Sequence, residues 1–392
     1  MSVSLTASWA ARAFARYDKP SVDRIVQAVA AAGVAAAAEH ARLAVQETGF
    51  GVPAHQELAN LACAQCLGAD DLVSPRLAGT LRLPRPLGVI LARTPPVIPV
   101  AAVYRTVLAA LATRNALVIS PHPAARSVST RAALALAEAA VAAGAPEGVI
   151  QVTDAGFDGA DLVLAPPDQP DNVPVIVDGT ADLARAAVTI VDSKAFDNST
   201  VDGAPSVLVV TSSAADRLVE LLRHAGGHLL RAGERVTDQL PGRDAGHLAG
   251  LAGIAVPTDT RVLMAPFDLA GPEEPLARPK PYPLMGLLRV ATPAQAVAAA
   301  RAVLRLGAGR RAAVHSTDLA ALPGYLAGLP VARVSVNGAD DNVAAWVGAD
   351  PAPENLVRWT TIVAPGPELP APPPATAPVG PVPAYPHASN GS

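Results

Sequence analysis

GVILARTPPVIPVAAVYRTVLAALATRNALVISPHPAAR, residues 88–126, alternates short and long apolar segments. GVILA (88–92) and NALVIS (115–120) are short, continuous apolar runs typical of buried strands, and VAAVYRTVLAALAT (100–113) has the length of a helix. Proline-containing turns join the three segments. A strand, a helix and a second strand with such short connections predict a parallel sheet with helices on its faces.

The same alternation continues along the rest of the chain. Further strands are predicted at residues 148–152, 174–178, 205–211, 260–265, 284–290, 312–315 and 331–336, and further helices at 127–144, 181–197, 214–230 and 293–306. The aspartate-rich connection 153–173 follows neither pattern, so we predict a surface loop there. Toward the N-terminus we predict helices at 21–46 and 55–67, and a short strand at 79–83 that the following prolines end.

These elements predict an α/β protein with two lobes. Residues 1–172 form a Rossmann-like lobe in this prediction, and residues 173–337 form a second α/β lobe. A return segment follows at 338–363. Residues 364–392 are so rich in proline that they cannot pack a core, so we predict a disordered tail.

The composition argues against several classes of partner. The formal net charge is -4 and the basic residues are scattered, which argues against binding to nucleic acid or to an anionic membrane surface. Three arginines and three prolines interrupt the most apolar region, 88–120, so we predict no membrane span there. The first residues lack the pattern of a secretory signal, and two cysteines are too few for a disulfide framework. We therefore expect a cytoplasmic protein.

The two cysteines, Cys63 and Cys66, form a single C-x-x-C inside a predicted helix. Zinc sites need three or four ligands, and no second ligand pair follows at a suitable spacing, so we predict no metal site. A redox pair is expected where a strand enters a helix. We therefore interpret both cysteines as small buried residues.

Several segments, in order, resemble the CoA-acylating branch of the aldehyde dehydrogenase superfamily, which includes the aldehyde half of bifunctional aldehyde–alcohol dehydrogenases. The matching segments are ARLAVQETGFGV (41–52), residues 88–126 with the motifs TRN and SPHP, GAPEGVIQV (144–152), VIVDGTADLARAA (175–187), SKAFDN (193–198), EEPLA (273–277) and VNG (336–338). The resemblance covers about residues 21–338. It implies that family's two-lobed fold, NAD(P) and CoA as cofactors, and oligomeric assembly.

The resemblance also implies a set of site residues, from which this chain departs. The family's chemistry uses a cysteine nucleophile, an asparagine that stabilises the oxyanion, a glycine-rich dinucleotide loop and a glutamate that fixes the nicotinamide ribose. The nucleophile position holds Asp202, the oxyanion position holds Ile98, and no glycine-rich loop lies between GVIQV and VIVD. The position of the ribose-fixing glutamate holds Pro279, which follows Arg278. The position of the GHT motif holds Arg310, Arg311 and Ala312.

These departures favour a catalytically inactive family member that acts as a binding or assembly partner, either in a homo-oligomer or with an active paralogue. Two alternatives stay open. One is an active NAD(P)-dependent CoA-acylating aldehyde dehydrogenase, which converts aldehyde, CoA and NAD(P)+ to acyl-CoA and NAD(P)H. The other is a non-catalytic regulator that binds CoA or a nucleotide.

Individual residues also keep alternative interpretations. Asp202 is either a loop or helix-capping residue or a carboxylate nucleophile. Thr94, Ser120, His122 and Pro123 are candidate cofactor contacts, because parallel sheets bind ligands at the carboxyl ends of their strands. They are otherwise ordinary turn residues.

Overall fold

The computed structural model describes residues 2–65, 80–166, 168–236, 240–338 and 353–363. Contacts within the chain divide it into two compact units. The first comprises Met1–His40, Asn60–Pro166 and Ala349–Ser392, so far as these are described, and the second comprises Ala41–Ala59 and Pro167–Gly348. The predicted tail at 364–392 and Cys66 lie outside the described residues.

The first unit is built on a four-stranded parallel sheet with the order β4-β3-β2-β5. The strands of this unit are β1 (Thr80–Pro86), β2 (Val89–Arg93), β3 (Ala116–Ser120), β4 (Ile150–Val152), β5 (Leu162–Leu164) and β13 (Val357–Val363), of which β1 and β13 form a separate antiparallel pair. Its helices are α1 (Val3–Phe14), α4 (Pro99–Ala112) and α5 (Arg126–Ala142), and α2 (Lys19–Thr48) and α3 (Pro53–Gln65) run across the boundary between the units.

Helix α4 is buried along almost its whole length. Eleven of its fourteen residues are buried, and apart from Arg105 and Thr106 its sequence is apolar, as expected for a helix with little solvent contact. Directly after it, the fully buried Asn115 accepts a hydrogen bond from Gly88 N (2.9 Å) and donates one to Leu356 O (2.8 Å). The asparagine of the TRN motif therefore ties together three chain segments of the first unit.

The second unit contains a seven-stranded parallel sheet with the order β12-β11-β6-β7-β10-β9-β8. Its strands are β6 (Val173–Val177), β7 (Pro205–Thr211), β8 (Gly227–Leu229), β9 (Val262–Phe267), β10 (Leu284–Val290), β11 (Arg311–His315) and β12 (Arg333–Val336). Its helices are α6 (Leu183–Ala195), α7 (Ser212–His224), α8 (Ala245–Leu251), α9 (Pro293–Leu304) and α10 (Leu322–Gly328).

Alternate residues of the central strands enter two different cores. Val175 and Val177 of β6 pack with α6 and α7 on one face, whereas Ile176 packs with α9 and α10 on the other. Because both faces are covered, every residue of β6 and β7 is buried, and most of these residues are apolar. The predicted α/β class with parallel sheets is confirmed.

Three local predictions are wrong. The helix predicted at 214–230 ends at His224, and Gly227–Leu229 form strand β8 because they pair with β9. Strand β1 does not end before Pro84 but continues to Pro86, because its one partner among the described residues is β13 and a strand with a free edge tolerates proline. The connection 153–173 is not wholly a loop, since it contains β5, which pairs with β2. A strand of three residues is too short to show a periodic pattern.

One helix in the described part of the chain, α2, is long and apolar enough by length and composition to cross a membrane. In its most apolar 18-residue window, 33% of the residues are buried within the protein. The core helix of a protein that never meets a membrane passes the same test, so this is weak evidence for a span.

Candidate active site

The loop between α6 and β7 begins with a turn of unusual backbone conformation. Asp197, Asn198 and Ser199 all have positive φ values, of 48°, 52° and 66°. A left-handed residue other than glycine costs about 1–2 kcal/mol, and aspartate and asparagine tolerate it best. The residue types of the FDN motif therefore suit the conformation, and side-chain contacts must supply the rest of the stabilisation.

Asp197 provides most of these contacts. Its Oδ1 accepts a hydrogen bond from Val52 N (2.7 Å), and its Oδ2 accepts one from the Thr200 hydroxyl. The amide of Gln56 approaches the same oxygen at 3.5 Å. Burial raises the pKa of Asp197 to about 6, although these hydrogen bonds favour the ionised form. A β-carbon on Gly51 would collide with this carboxyl group, which explains the glycine there.

His55 completes the support of the turn. Its Nδ1 accepts a hydrogen bond from Asp197 N (2.8 Å), which leaves the ring proton of the neutral form on Nε2. The ring stacks on Phe196 with 4.7 Å between the ring centroids. Burial lowers the pKa of His55, so the ring is neutral near pH 7. Asn198 then donates from Nδ2 to Gly242 O (2.9 Å), which joins a third segment to the turn.

Asp202, which the sequence analysis predicts at the nucleophile position, is held by neighbouring groups through both carboxylate oxygens and its main-chain oxygen. Its Oδ2 forms an ion pair with Nη2 of Arg310, and its Oδ1 accepts a hydrogen bond from Asp171 N (2.9 Å). Its main-chain oxygen accepts a hydrogen bond from Nη1 of Arg311 (2.7 Å). The side chain keeps 37% of its surface exposed. A carboxylate held by a guanidinium and an amide is a poor nucleophile, because its negative charge is already stabilised.

Asp171 extends this arrangement into the protein interior. Its Oδ1 accepts hydrogen bonds from Asn172 N (3.1 Å) and Arg310 N (2.9 Å), whereas its buried Oδ2 has no partner among the described residues. Burial raises the pKa of Asp171, with the nearby charge of Asp202 acting in the same direction. One connected group of charged residues thus surrounds Asp202 and comprises Asp171, Arg310 and Arg311.

Two buried lysines lie close to the same loop. Lys194, near the end of α6, is fully buried and donates to Lys280 O (2.9 Å). Lys280 in turn donates to Leu276 O (2.7 Å) and Arg278 O (2.6 Å). Burial lowers the pKa of Lys280 to about 7 and lowers that of Lys194 well below its usual value. Neither amine is exposed enough to meet a substrate.

Ile98 occupies a strained position in the first unit. It is fully buried, has a φ of 44°, and directly precedes α4 without a side-chain cap on the helix. A β-branched residue in this conformation is a genuine outlier, whereas asparagine adopts it far more readily. The backbone therefore has a conformation that suits asparagine, while the isoleucine side chain has no hydrogen-bond donor for an oxyanion.

The four candidate cofactor contacts lie together at the carboxyl ends of β2 and β3. Thr94 N donates to Ser120 O (3.1 Å), and His122 N donates to the Thr94 hydroxyl (3.2 Å). His122 Nδ1 accepts from Ala124 N (3.1 Å) and so caps the short helical turn that starts at Pro123. Their polar groups hold the turn itself together. Asp202 belongs to the second unit, and these residues and Ile98 belong to the first.

The residues present do not fit a dinucleotide pyrophosphate in the way that a glycine-rich loop does. Such a site places the phosphates at the start of a helix that follows a strand and a glycine turn. Strand β5 ends at Leu164 and β6 begins at Val173, and the described residues between them form no helix. The sequence has no glycine from Asp161 to Asp178. In the described residues, no group of three or more His, Cys, Asp or Glu side chains is arranged to hold a metal ion.

Comparison with known proteins identifies the family. A model described as the aldehyde dehydrogenase family matches residues 7–166. The acetylating acetaldehyde dehydrogenase EutE of Escherichia coli (strain K12) is 33% identical over 349 residues, covering 75% of this chain and 73% of EutE. The chain belongs to the aldehyde dehydrogenase family. The bifunctional aldehyde-alcohol dehydrogenase AdhE of the same strain is 28% identical over 352 residues, which span 76% of this chain and 39% of AdhE. Within the aldehyde dehydrogenases, these relatives support the CoA-acylating branch.

Solved structures of aldehyde dehydrogenases have the same fold. A probable aldehyde dehydrogenase from Listeria monocytogenes EGD-e superposes with a TM-score of 0.85 at 25% identity, covering 94% of this chain and 96% of that one. A propionaldehyde dehydrogenase from Rhodopseudomonas palustris with bound propionyl-CoA superposes with a TM-score of 0.84 at 22% identity, covering 92% and 93%. At 22% identity, the second likeness supports the fold alone.

The sequence did not indicate several residues of this site. Asp171, His55 and the left-handed turn gave no signal of their own. In the sequence, Arg310 and Arg311 indicate only the loss of a family motif. The available signal was the pairing of charges, since an acidic residue at one motif and two basic residues at another are expected to attract each other.

Proposed function

We propose that this aldehyde dehydrogenase relative has no thiol-dependent catalysis and serves as a binding or assembly partner. The observation that carries the proposal is the state of Asp202. It stands at the nucleophile position, and both of its carboxylate oxygens are engaged by Arg310 and by the main chain of Asp171. No cysteine follows Cys66 in the sequence.

The chemistry of acyl transfer explains why this substitution matters. A thiolate adds to an aldehyde, the hemithioacetal gives up a hydride, and the resulting thioester passes its acyl group to CoA. Asp202 lacks the sulfur on which the thioester forms. Ile98 offers no donor to a developing oxyanion, and the connection from β5 to β6 lacks the glycine turn that would receive a pyrophosphate.

A second candidate function is an active CoA-acylating aldehyde dehydrogenase. It is favoured by the identity to EutE, whose name describes an acetylating acetaldehyde dehydrogenase, and by the intact FDN turn around Asp197. Such an enzyme would convert an aldehyde, CoA and NAD(P)+ to an acyl-CoA and NAD(P)H. In this chain a thiol mechanism would have to use Cys63 or Cys66. Cys63 is buried in α3.

A turnover assay decides between the two functions. The purified chain is supplied with acetaldehyde or propionaldehyde, CoA and either NAD+ or NADP+, with EutE as a positive control. We expect no reduced dinucleotide above the level given by Asp202→Ala. Turnover that disappears in Asp202→Ala, or in a variant with Cys63 and Cys66 both changed to Ser, would overturn the proposal and support the active enzyme.

Ligand binding without turnover separates an assembly partner from a regulator. A ligand that binds the native protein raises its apparent melting temperature. We expect no such shift with NAD+, NADP+, CoA or acetyl-CoA, since the pyrophosphate site does not fit. A shift that is lost when Thr94 and His122 are changed to Ala would instead assign the chain as a binding regulator. Assembly in a homo-oligomer or with an active paralogue, and a cytoplasmic location, belong to this proposal.

A further inference from the structure

An open surface depression of about 360 Å³, which we call the α9 groove, lies along the outer side of helix α9 in the second unit. Its lining residues are Ala294, Val297, Ala298, Arg301 and Arg305. Four of them lie at spacings of four, three and four residues, which places them in one stripe along the helix. The opposite stripe, with Ala296, Ala300 and Val303, packs into the core, so the groove lies on the outer side of a well-anchored helix.

The floor of the groove is apolar and made of small side chains. Ala294 and Ala298 are exposed, and Val297 is half-buried against Gly328 of α10. Small residues let a second backbone approach closely. A capping box formed by Thr292 and Gln295 stabilises the N-terminus of the helix.

One end of the groove carries positive charge without a local counter-charge. The guanidinium groups of Arg301 and Arg305 are exposed and form no ion pair or side-chain hydrogen bond with any residue that the structure describes. The chain from residue 293 to residue 336 contains five arginines and one acidic residue, Asp318, although the whole protein has a net charge of -4. Arg310 is paired with Asp202, so the positive charge at this end of the groove is that of Arg301 and Arg305.

We propose that this α9 groove docks an acidic amphipathic helix of a partner protein. Apolar side chains of that helix would cover Ala294, Val297 and Ala298, as in other helix-in-groove contacts. Two carboxylates one turn apart would pair with Arg301 and Arg305, which present the same spacing and bind carboxylates in two-pronged geometry. The proposal rests on the binding role proposed above and names the chemistry of the partner.

The test uses two labelled synthetic peptides with the full-length protein. One is an alanine-based helix with leucines on one face and glutamates four residues apart, and the other has lysine in place of each glutamate. Fluorescence anisotropy at low salt measures their affinities. We expect the glutamate peptide to bind about tenfold more tightly than the lysine peptide, and Arg301→Glu with Arg305→Glu to reverse that order.

A matched control separates the groove from general electrostatics. Arg42→Glu with Arg223→Glu makes the same change in net charge at two other exposed arginines of the second unit, and the preference for the glutamate peptide should persist. Ala298→Glu should weaken glutamate-peptide binding without disturbing the core, because Ala298 is exposed. Unchanged circular dichroism and melting temperature verify the fold of each variant.

Two results would overturn the inference. Equal affinity for the two peptides, or equal behaviour of the groove variant and its control, would exclude an acidic occupant. A wild-type oligomer that dissociates in Arg301→Glu with Arg305→Glu during sedimentation, without any peptide, would show that a second copy of the chain occupies the groove. Neither result depends on the turnover assay. Turnover in that assay would overturn the proposed function alone.

Discussion

Asp202 and Arg310, which are 108 residues apart in the sequence, form an ion pair at the position where the sequence analysis predicts the nucleophile. Both side chains are partly exposed to solvent, Asp202 over 37% of its surface and Arg310 over 35%. The carboxylate is further held by the main chain of Asp171, and Arg311 holds its main-chain oxygen. The ion pair thus attaches the loop between α6 and β7 to the start of β11.

The strength of this ion pair is measurable by a double-mutant cycle with Asp202→Asn and Arg310→Gln. We expect a coupling free energy of about 0.5–1 kcal/mol at low salt, because partly exposed pairs are weakened by solvent. The coupling should fall as salt is added. Urea unfolding of the four proteins gives the value. If the stability losses of the two single variants add up to the loss of the double variant, the two side chains act independently.

Replacing the aspartate by cysteine tests whether the nucleophile is the single missing part. In Asp202→Cys the new thiol is partly exposed and should react with a maleimide much faster than the buried Cys63. We nevertheless expect no formation of reduced dinucleotide from aldehyde and CoA, because Ile98 and the connection after β5 are unchanged. Turnover by this single variant would mean that the remaining site is competent.

The sequence predicted the framework of the fold better than it predicted the site. Strand β10 has the predicted bounds, and α4 differs from its prediction by one residue at each end, because unbroken apolar runs signal burial locally. The ion pair of Asp202 and the contact of Asp197 with Val52 join residues that are 108 and 145 positions apart. No local pattern carries such information.

Short or irregular elements were also beyond prediction. Strand β5 has three residues, and its pairing with β2 decides its structure more than its own sequence does. The left-handed turn at Asp197 depends on contacts from His55 and Val52, which lie in another segment. Motif resemblance identified FDN and its neighbours, but the physical role of each residue required the tertiary contacts.

Asp197 should be the most important residue for the stability of the turn. In Asp197→Ala the main-chain N–H of Val52 and the Thr200 hydroxyl lose a buried acceptor, and alanine tolerates the left-handed conformation less well. We expect a loss of about 2–4 kcal/mol in the free energy of unfolding. Asp197→Asn, which keeps an acceptor and tolerates the backbone, should lose markedly less. Equal losses in the two variants would argue against this role.

The same carboxyl group should make stability depend on pH. Burial raises the pKa of Asp197 from 3.8 to about 6, so between these values the folded protein keeps a proton that the unfolded chain has released. The stabilising contribution is complete below pH 3.8 and is lost as the pH rises through 6, by about 3 kcal/mol in total. The difference in unfolding free energy between wild type and Asp197→Asn should therefore change across this window. A constant difference would contradict the assignment.

Lys194 and Lys280 should give the opposite slope at higher pH. Burial lowers the pKa of Lys280 from 10.5 to about 7, and the pKa of Lys194 is also well below its usual value. In the unfolded chain both amines stay protonated up to about pH 10. Folding therefore releases protons near neutral pH, and the free energy of unfolding should rise as the pH increases from 7 toward 10.

In Lys194→Met this rise should be smaller, because methionine removes one buried amine at a similar volume and costs only its hydrogen bond to Lys280 O. Urea unfolding at several pH values measures the slope, with exposed Lys19→Met as the control. A variant with the slope of wild type would mean that Lys194 is protonated in the folded protein.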